Sequence, residues 1–222
     1  MALPAPPDGS APGFFGVYPA MVTDLVDPDH LSRIEVRFPT LGSDGDRDVR
    51  AWATLCTPYA DNDQGIQILP EVGSQVLVAF EGGSLRRPYI IGCAWNGKAS
   101  PPHAPDRANN RRTWRSRGKS VLEFDDTTGA EKVSITMSSG HRVVLDQGVQ
   151  EVTIQHSNGS TIRMTAAGVV EVQATFSVDV KAPLVNVTSP FSKFTGVVQA
   201  QTVITEAFVV SPAYTPGVGN LL

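Results

Sequence analysis

Hydrophobic and polar residues alternate along most of this chain with the two-residue period of a strand, and no segment shows a sustained helical period. Ile34-Glu-Val-Arg-Phe38 alternates strictly, as a half-buried strand does, and Pro39 closes it because proline cannot continue a central ladder. Val76-Leu-Val-Ala-Phe80 is a continuous apolar run, which predicts a strand covered on both sides and ended by Gly82-Gly83. Gly16–Thr23, Ala51–Leu55 and Tyr89–Trp95 supply three more strands. These short strands without helices predict a small closed or nearly closed barrel within residues 14–97.

After Lys119 the pattern becomes monotonous. Strands are expected at Val121–Phe124, Val133–Met137, Arg142–Leu145, Val152–Gln155, Thr161–Met164 and Val170–Gln173. Four more follow at Phe176–Val180, Leu184–Val187, Val197–Gln201 and Val203–Thr205. Turns of Gly, Asn, Ser, Asp or Pro separate them every eight to twelve residues, the period of a β-solenoid or repetitive β-prism. From position 151 onward the charged residues are only Glu151, Arg163, Glu171, Asp179, Lys181, Lys193 and Glu206. A lone solenoid of this composition leaves open edges without the lysines and prolines that protect them. Three copies wound around one axis remove that problem, so residues 119–205 are expected to be coherent as a trimer. Ten strands spaced by roughly 4.8 Å give a shaft of about 45–50 Å, longer than the roughly 30 Å hydrocarbon core of a bilayer.

Composition narrows the function. Glycine and proline number 20 and 17 among 222 residues, which disfavours a helical bundle. The net charge of −4 gives no overall basic excess for nucleic acid. No apolar run approaches the roughly 18 residues of a membrane-spanning helix. Residues 1–13, with four prolines and little to bury, are expected to be a flexible extension, and they carry no signal-peptide pattern. Synthesis in the cytoplasm is the corresponding expectation. Cys56 and Cys93 are expected to be buried free thiols in a reducing compartment. Residues 98–118 are rich in proline, asparagine and arginine and read as a linker or collar, and residues 206–222 as a tail.

Candidate chemistry is sparse. Asp44-Gly-Asp-Arg-Asp48 suggests calcium, but the twelfth position from Asp44 is Leu55 where an EF-hand needs glutamate, so a solvated loop is expected. Asp61-Asn-Asp63 before Gly65 reads as a turn. Nucleophile elbows, zinc-protease motifs, phosphate loops and C-x-x-C pairs do not occur, and Gly217-x-Gly219 follows no βα unit. No catalytic, cofactor or metal residues are assigned. Arg111, Arg112, Arg115, Arg117 and Lys119 surround Trp114 in the one basic cluster, which suits single-stranded nucleic acid or, equally, acidic loops of a docked protein.

A family resemblance ties these pieces together. Gly16-Val-Tyr-Pro-Ala-Met-Val-Thr-Asp-Leu-Val-Asp-Pro28, Arg33-Ile-Glu-Val-Arg-Phe-Pro39, Ala51-Trp-Ala53, Pro70–Phe80 and Arg87-Pro-Tyr-Ile-Ile-Gly92 follow one another as they do in contractile-injection spike proteins. The chain resembles phage baseplate assembly protein V and the valine-glycine repeat protein G spikes of type VI secretion. Leu122–Ile135 is similar to the start of the spike β-helix in that family. The resemblance implies an all-β chain: an N-terminal OB-fold barrel, then a C-terminal intertwined trimeric β-helix forming a triangular needle. It implies a homotrimeric structural spike, not an enzyme, that meets a separate hub protein at the tube end and other baseplate components. Transient contact with a target membrane and a piercing role follow from the same likeness, in a phage tail or a phage-derived particle.

Relatives that form their own tip share a His-x-His metal site near the C-terminus, whereas the histidines here are 30, 103, 141 and 156. A blunt end receiving a separate Pro-Ala-Ala-Arg (PAAR)-repeat tip protein is therefore expected, with Tyr214, Pro216, Gly217, Gly219 and Asn220 as docking residues. Inward positions of the trimer are expected at Ile135, Val152, Ile154, Ile162, Val172, Val178, Val180 and Val187. The chain is shorter than relatives that carry fused hub domains, and no lysozyme-like insertion separates barrel and needle. Two other classes compete: an OB-type nucleic-acid-binding protein, and a β-solenoid glycan-degrading enzyme with a carboxylate-lined groove.

Overall fold

The computed structural model describes residues 13–41, 48–206 and 210. Five strands close a barrel: β1 (Val17–Asp24), β2 (Arg33–Arg37), β3 (Arg50–Leu55), β6 (Gln75–Phe80) and β7 (Pro88–Cys93). Around the barrel they follow the order β1-β2-β3-β7-β6, with β6 returning to β1. Every contact is antiparallel except β3 with β7, which is parallel. Between β3 and β6 a small hairpin, β4 (Ala60–Asp61) and β5 (Gln64–Gly65), stands apart, and the expected turn at Asp61-Asn-Asp63 is its tip.

The barrel interior follows from alternation. Ala20 and Val22, Ile34 and Val36, Ala53, Val76 and Val78, and Ile90 point inward and are fully buried with Phe38. Val76–Phe80 was expected to be covered on both sides; the strand instead alternates, with Leu77 and Ala79 half-buried on the outer surface. A closed small barrel has one interior, so an apolar run along its wall can bury only every second residue. One end is plugged by aromatics: Phe80 lies 5.4 Å from Phe38, 5.3 Å from Tyr18 and 5.9 Å from Phe14 between ring centroids. The Phe14 amide donates to the Gly83 carbonyl at 2.9 Å, which pins the chain start over the 3-10 turn Glu81–Gly83. Gly83 has φ +77°, and a Cβ there would come within 3.1 Å of the Gly13–Phe14 backbone, so glycine is required on both counts.

The loop from β1 to β2 is locked by one carboxylate. Asp27 accepts from the backbone amides of Asp29, Leu31 and Arg33 and from Arg33 Nε and Nη2, both at 2.8 Å. The Arg33 guanidinium, helped by those amides, holds the Asp27 carboxyl well below the ordinary carboxylate range despite its burial.

A second sheet follows in simple sequence order. Its strands are β8 (Arg111–Arg115), β9 (Val121–Asp125), β10 (Lys132–Thr136), β11 (Arg142–Asp146), β12 (Glu151–Gln155), β13 (Thr161–Met164) and β14 (Val170–Gln173). Each pairs antiparallel with the next. The six strands expected between Val121 and Gln173 are present. The stretch read as a linker or collar, residues 98–118, ends in an additional strand, β8, because Arg112 and Trp114 alternate with Arg111, Thr113 and Arg115 against β9. Strands β9 to β13 each find ladder neighbours on both sides within their own chain. Six inter-strand spacings of roughly 4.8 Å make this ladder about 29 Å tall.

Residues 176–206 form a separate unit. The four strands expected there are absent among the described residues: the segment runs without ladder partners, and its apolar side chains are exposed. A strand needs a partner for its backbone amides and carbonyls, and the described residues offer none here. Cys56 and Cys93 are free, as expected, but exposed, because both fall near the ends of barrel strands.

Candidate functional site: an uncovered apolar sheet face

Tight antiparallel turns set the registers of β8–β14, and the registers decide which side chains share a face. Trp114, Leu122, Ile135, Val143, Ile154, Ile162 and Val172 stand opposite one another in succession across the seven strands. Two residues along, Arg112, Phe124, Val133, Leu145, Val152, Met164 and Val170 form a parallel row on the same face. Arg112 alone interrupts an otherwise apolar surface.

Among the described residues nothing covers it. Ile135 is 51% exposed, Ile154 48% and Val172 57%. Among the described residues, every fully buried apolar side chain belongs to the barrel or its flanking Phe38. A contiguous apolar face of this extent marks an interaction surface.

The opposite face is polar, and several of its charges are paired in place. Arg111 meets Asp125 at 3.8 Å, Lys132 meets Asp146 at 3.1 Å, and Arg163 meets Glu171 at 2.9 Å. Hydrogen bonds from Thr127, then the nearby cations, hold the Asp125 carboxyl below its ordinary range. Lys132 does most of the same for Asp146. Glu123 accepts from Thr113 Oγ1 at 2.9 Å and lies 2.6 Å from His103 Nε2, which ties the proline-rich segment before β8 to this face. The sheet is thus amphipathic, with several charges of its polar side paired and its apolar side uncovered.

Of the residues expected to face a trimer axis, Ile135, Val152, Ile154, Ile162 and Val172 stand together on the apolar face. Val178, Val180 and Val187 lie in the separate unit 176–206 and are exposed there. The expected tip-docking residues Tyr214, Pro216, Gly217, Gly219 and Asn220 lie outside the described residues, as does most of Asp44–Asp48. Trp114, Leu122, Phe124, Val133, Val143, Leu145, Met164 and Val170 belong to the face and were missed. Alternation marks them as candidates, but only the registers place them on one side.

The basic cluster does not form one patch. Arg112 shares the apolar face with Trp114, Arg111 and Arg115 point the other way, and Arg117 reaches Glu71 of the barrel at 3.0 Å. Arg111 and Arg112 meet Asp125 and Asp126. Among the described residues no three His, Cys, Asp or Glu side chains converge as metal ligands.

The barrel has relatives among known proteins. Residues 18–95 match the family described as the type VI secretion system/phage-baseplate injector OB domain. The barrel is similar to an injector OB domain, and the chain is similar to VgrG spikes. Type VI secretion system spike protein VgrG3 of Vibrio cholerae serotype O1 is 25% identical over 155 residues, covering 64% of this chain and 15% of that protein. Actin cross-linking toxin VgrG1 of Vibrio cholerae serotype O1 is 23% identical over 172 residues, 72% of this chain and 16% of that protein. Type VI secretion system spike protein VgrG4b of Pseudomonas aeruginosa is 25% identical over 135 residues, 56% of this chain and 17% of that protein. The chain therefore spans about one-sixth of the length of these relatives.

Proposed function

We propose that this chain is a homotrimeric central spike of a contractile injection machine, a phage tail baseplate or a phage-derived particle. The observation that carries the reading is the apolar face of β8–β14, uncovered in one chain and directly joined to an injector-type barrel. Three copies with those faces turned to a common axis bury Ile135, Val152, Ile154, Ile162 and Val172 together and leave the polar faces outward. Residues 176–205 then take their ladder partners from the other two copies, as a triangular β-helix does, and Val178, Val180 and Val187 turn inward. Burial of roughly 25 cal/mol per Å² of apolar surface drives the association.

The role is structural and mechanical, not enzymatic. A hub protein at the tube end and baseplate components hold the barrels. The needle carries a separate PAAR-repeat tip protein at the C-terminal tail and meets the target membrane as it pierces the envelope. Synthesis in the cytoplasm and assembly into the particle complete the picture. Deleting the gene from a producing cell tests this: sheath–tube particles should fail to assemble or to deliver, and unimpaired delivery contradicts the reading.

A further inference from the structure

The β8–β14 sheet carries opposite charge on its two turn-bearing edges. Turns 116–120, 137–141 and 156–160 edge it with Arg115, Arg117, Lys119 and Arg142 and with no carboxylate. The other edge, at turns 126–131 and 147–150, carries Asp125, Asp126, Glu131, Asp146 and Glu151 beside Lys132. Arg111 and Arg112 already answer Asp125 and Asp126. What is left over sits at the end of β11. Asp146 stands directly opposite Glu151, a like-charge pair that destabilises a ladder. Glu131 is beside them, its carbonyl accepting from the Gln147 amide at 2.8 Å. Lys132 serves Asp146, while Arg163 is shared between Glu151 at 3.6 Å and Glu171 at 2.9 Å. Together these turns, with Phe124, Val133, Leu145 and Val152 of the apolar face, frame an open cleft of about 380 Å³.

At the opposite end of the same strand, Arg142 is exposed and meets no carboxylate among the described residues; its Nε donates to Gln155 at 2.8 Å. Arg142 and Asp146 are both on the polar face of β11, four residues apart. A rotation axis parallel to the ladder brings the basic edge of each copy beside the acidic edge of the next without changing level. Arg142 of one copy then arrives at the carboxylates that end β11 in its neighbour.

We infer that Arg142 docks into the cleft formed by Glu131, Asp146 and Glu151 of a second copy of this chain. The contact is heterologous, so repeating it closes a ring, and it fixes the direction in which the copies follow one another. This rests on the trimer reading above, and it names the contact at each corner of that trimer.

The test uses the full chain and measures trimer dissociation on dilution by light scattering, with circular dichroism as the check on folding. Arg142→Glu should raise the dissociation constant about tenfold or more at low salt, because three attractive contacts become repulsive. Adding Glu131→Lys, which disturbs no ion pair among the described residues, should recover at least half of that loss on a logarithmic scale. Both differences should shrink as salt rises to about 1 M. Dissociation of Arg142→Glu at the wild-type concentration, or a second loss on adding Glu131→Lys, overturns the inference and leaves the trimer standing. A monomeric wild-type chain overturns the trimer reading itself.

Discussion

Ile154 stands between Val143 and Ile162 across the β11–β12–β13 ladder, yet 48% of it is exposed. In a half-buried sheet the central residue of such a row is the most covered. Here Ile154 has an apolar neighbour on each side in its row and, among the described residues, nothing over it. If the cap is the same face of two other copies, Ile154→Asp puts three carboxylates together near an axis without water. Each buried unpaired charge costs several kcal/mol, so the variant should lose the trimer at micromolar concentration while its barrel stays folded. Sedimentation with circular dichroism checks this; a normally assembled Ile154→Asp trimer would mean that the face looks outward.

Barrel and sheet stability should be separable. Phe80 is buried against Phe14, Tyr18 and Phe38 at the plugged end of the barrel. Phe80→Ala should destabilise the barrel by about 3–5 kcal/mol, the usual cost of removing a core aromatic. Urea denaturation reads it as a lower midpoint for the barrel transition, and an unchanged midpoint would contradict the packing described.

Much of this architecture was legible from alternation alone. The five barrel strands and the six strands from Val121 to Gln173 follow from period-two patterning, which reports a local choice of backbone. Val76–Phe80 was misread because a continuous apolar run looks the same on a barrel wall and in a sheet covered on both sides. Strand β8 was hidden by its arginines, which signal solvent when read singly and a ladder only when Phe124 and Leu122 are opposite. The segment 176–206 shows the deeper limit: Phe176-Ser-Val-Asp-Val180 alternates as well as any strand in the chain. Alternation specifies a willingness to pair, not the partner, and no partner stands among the described residues. The apolar face was half legible for the same reason, since Ile135 and Ile154 could be nominated by parity while Trp114 and Met164 needed the registers.

Acid should loosen the β1–β2 loop before it touches the barrel core. The Asp27 carboxyl is held far below its ordinary value by Arg33 and three backbone amides, so its unfolded value is the higher one. Its stabilisation is therefore fully present above the ordinary aspartate value of about 3.9 and is lost as pH falls from there through the depressed folded value. Asp125 and Asp146 are shifted in the same direction and add to the same window. Asp27→Asn should lower the thermal midpoint at pH 7 by about 5 °C and flatten its fall below pH 4. A variant with the wild-type acid profile would show that the loop is held by something else.

Two turns of the second sheet differ in a way that stability should register. Gln150 adopts φ +54° before β12, where a side chain is strained, whereas the β9–β10 turn places Gly129 at φ +78°. Gln150→Gly should be neutral or stabilising by up to about 1 kcal/mol, and Gly129→Ala destabilising by about 1 kcal/mol. Chemical denaturation of the two variants side by side decides it; equal effects of the same sign would contradict the turn assignments.

The most direct test is the absolute mass of the purified full chain in dilute buffer, measured by light scattering behind size exclusion. A stable particle of three times 23.7 kDa is the predicted result. A well-folded species at 23.7 kDa, with the β8–β14 sheet intact and its apolar face in water, would contradict the account at its root.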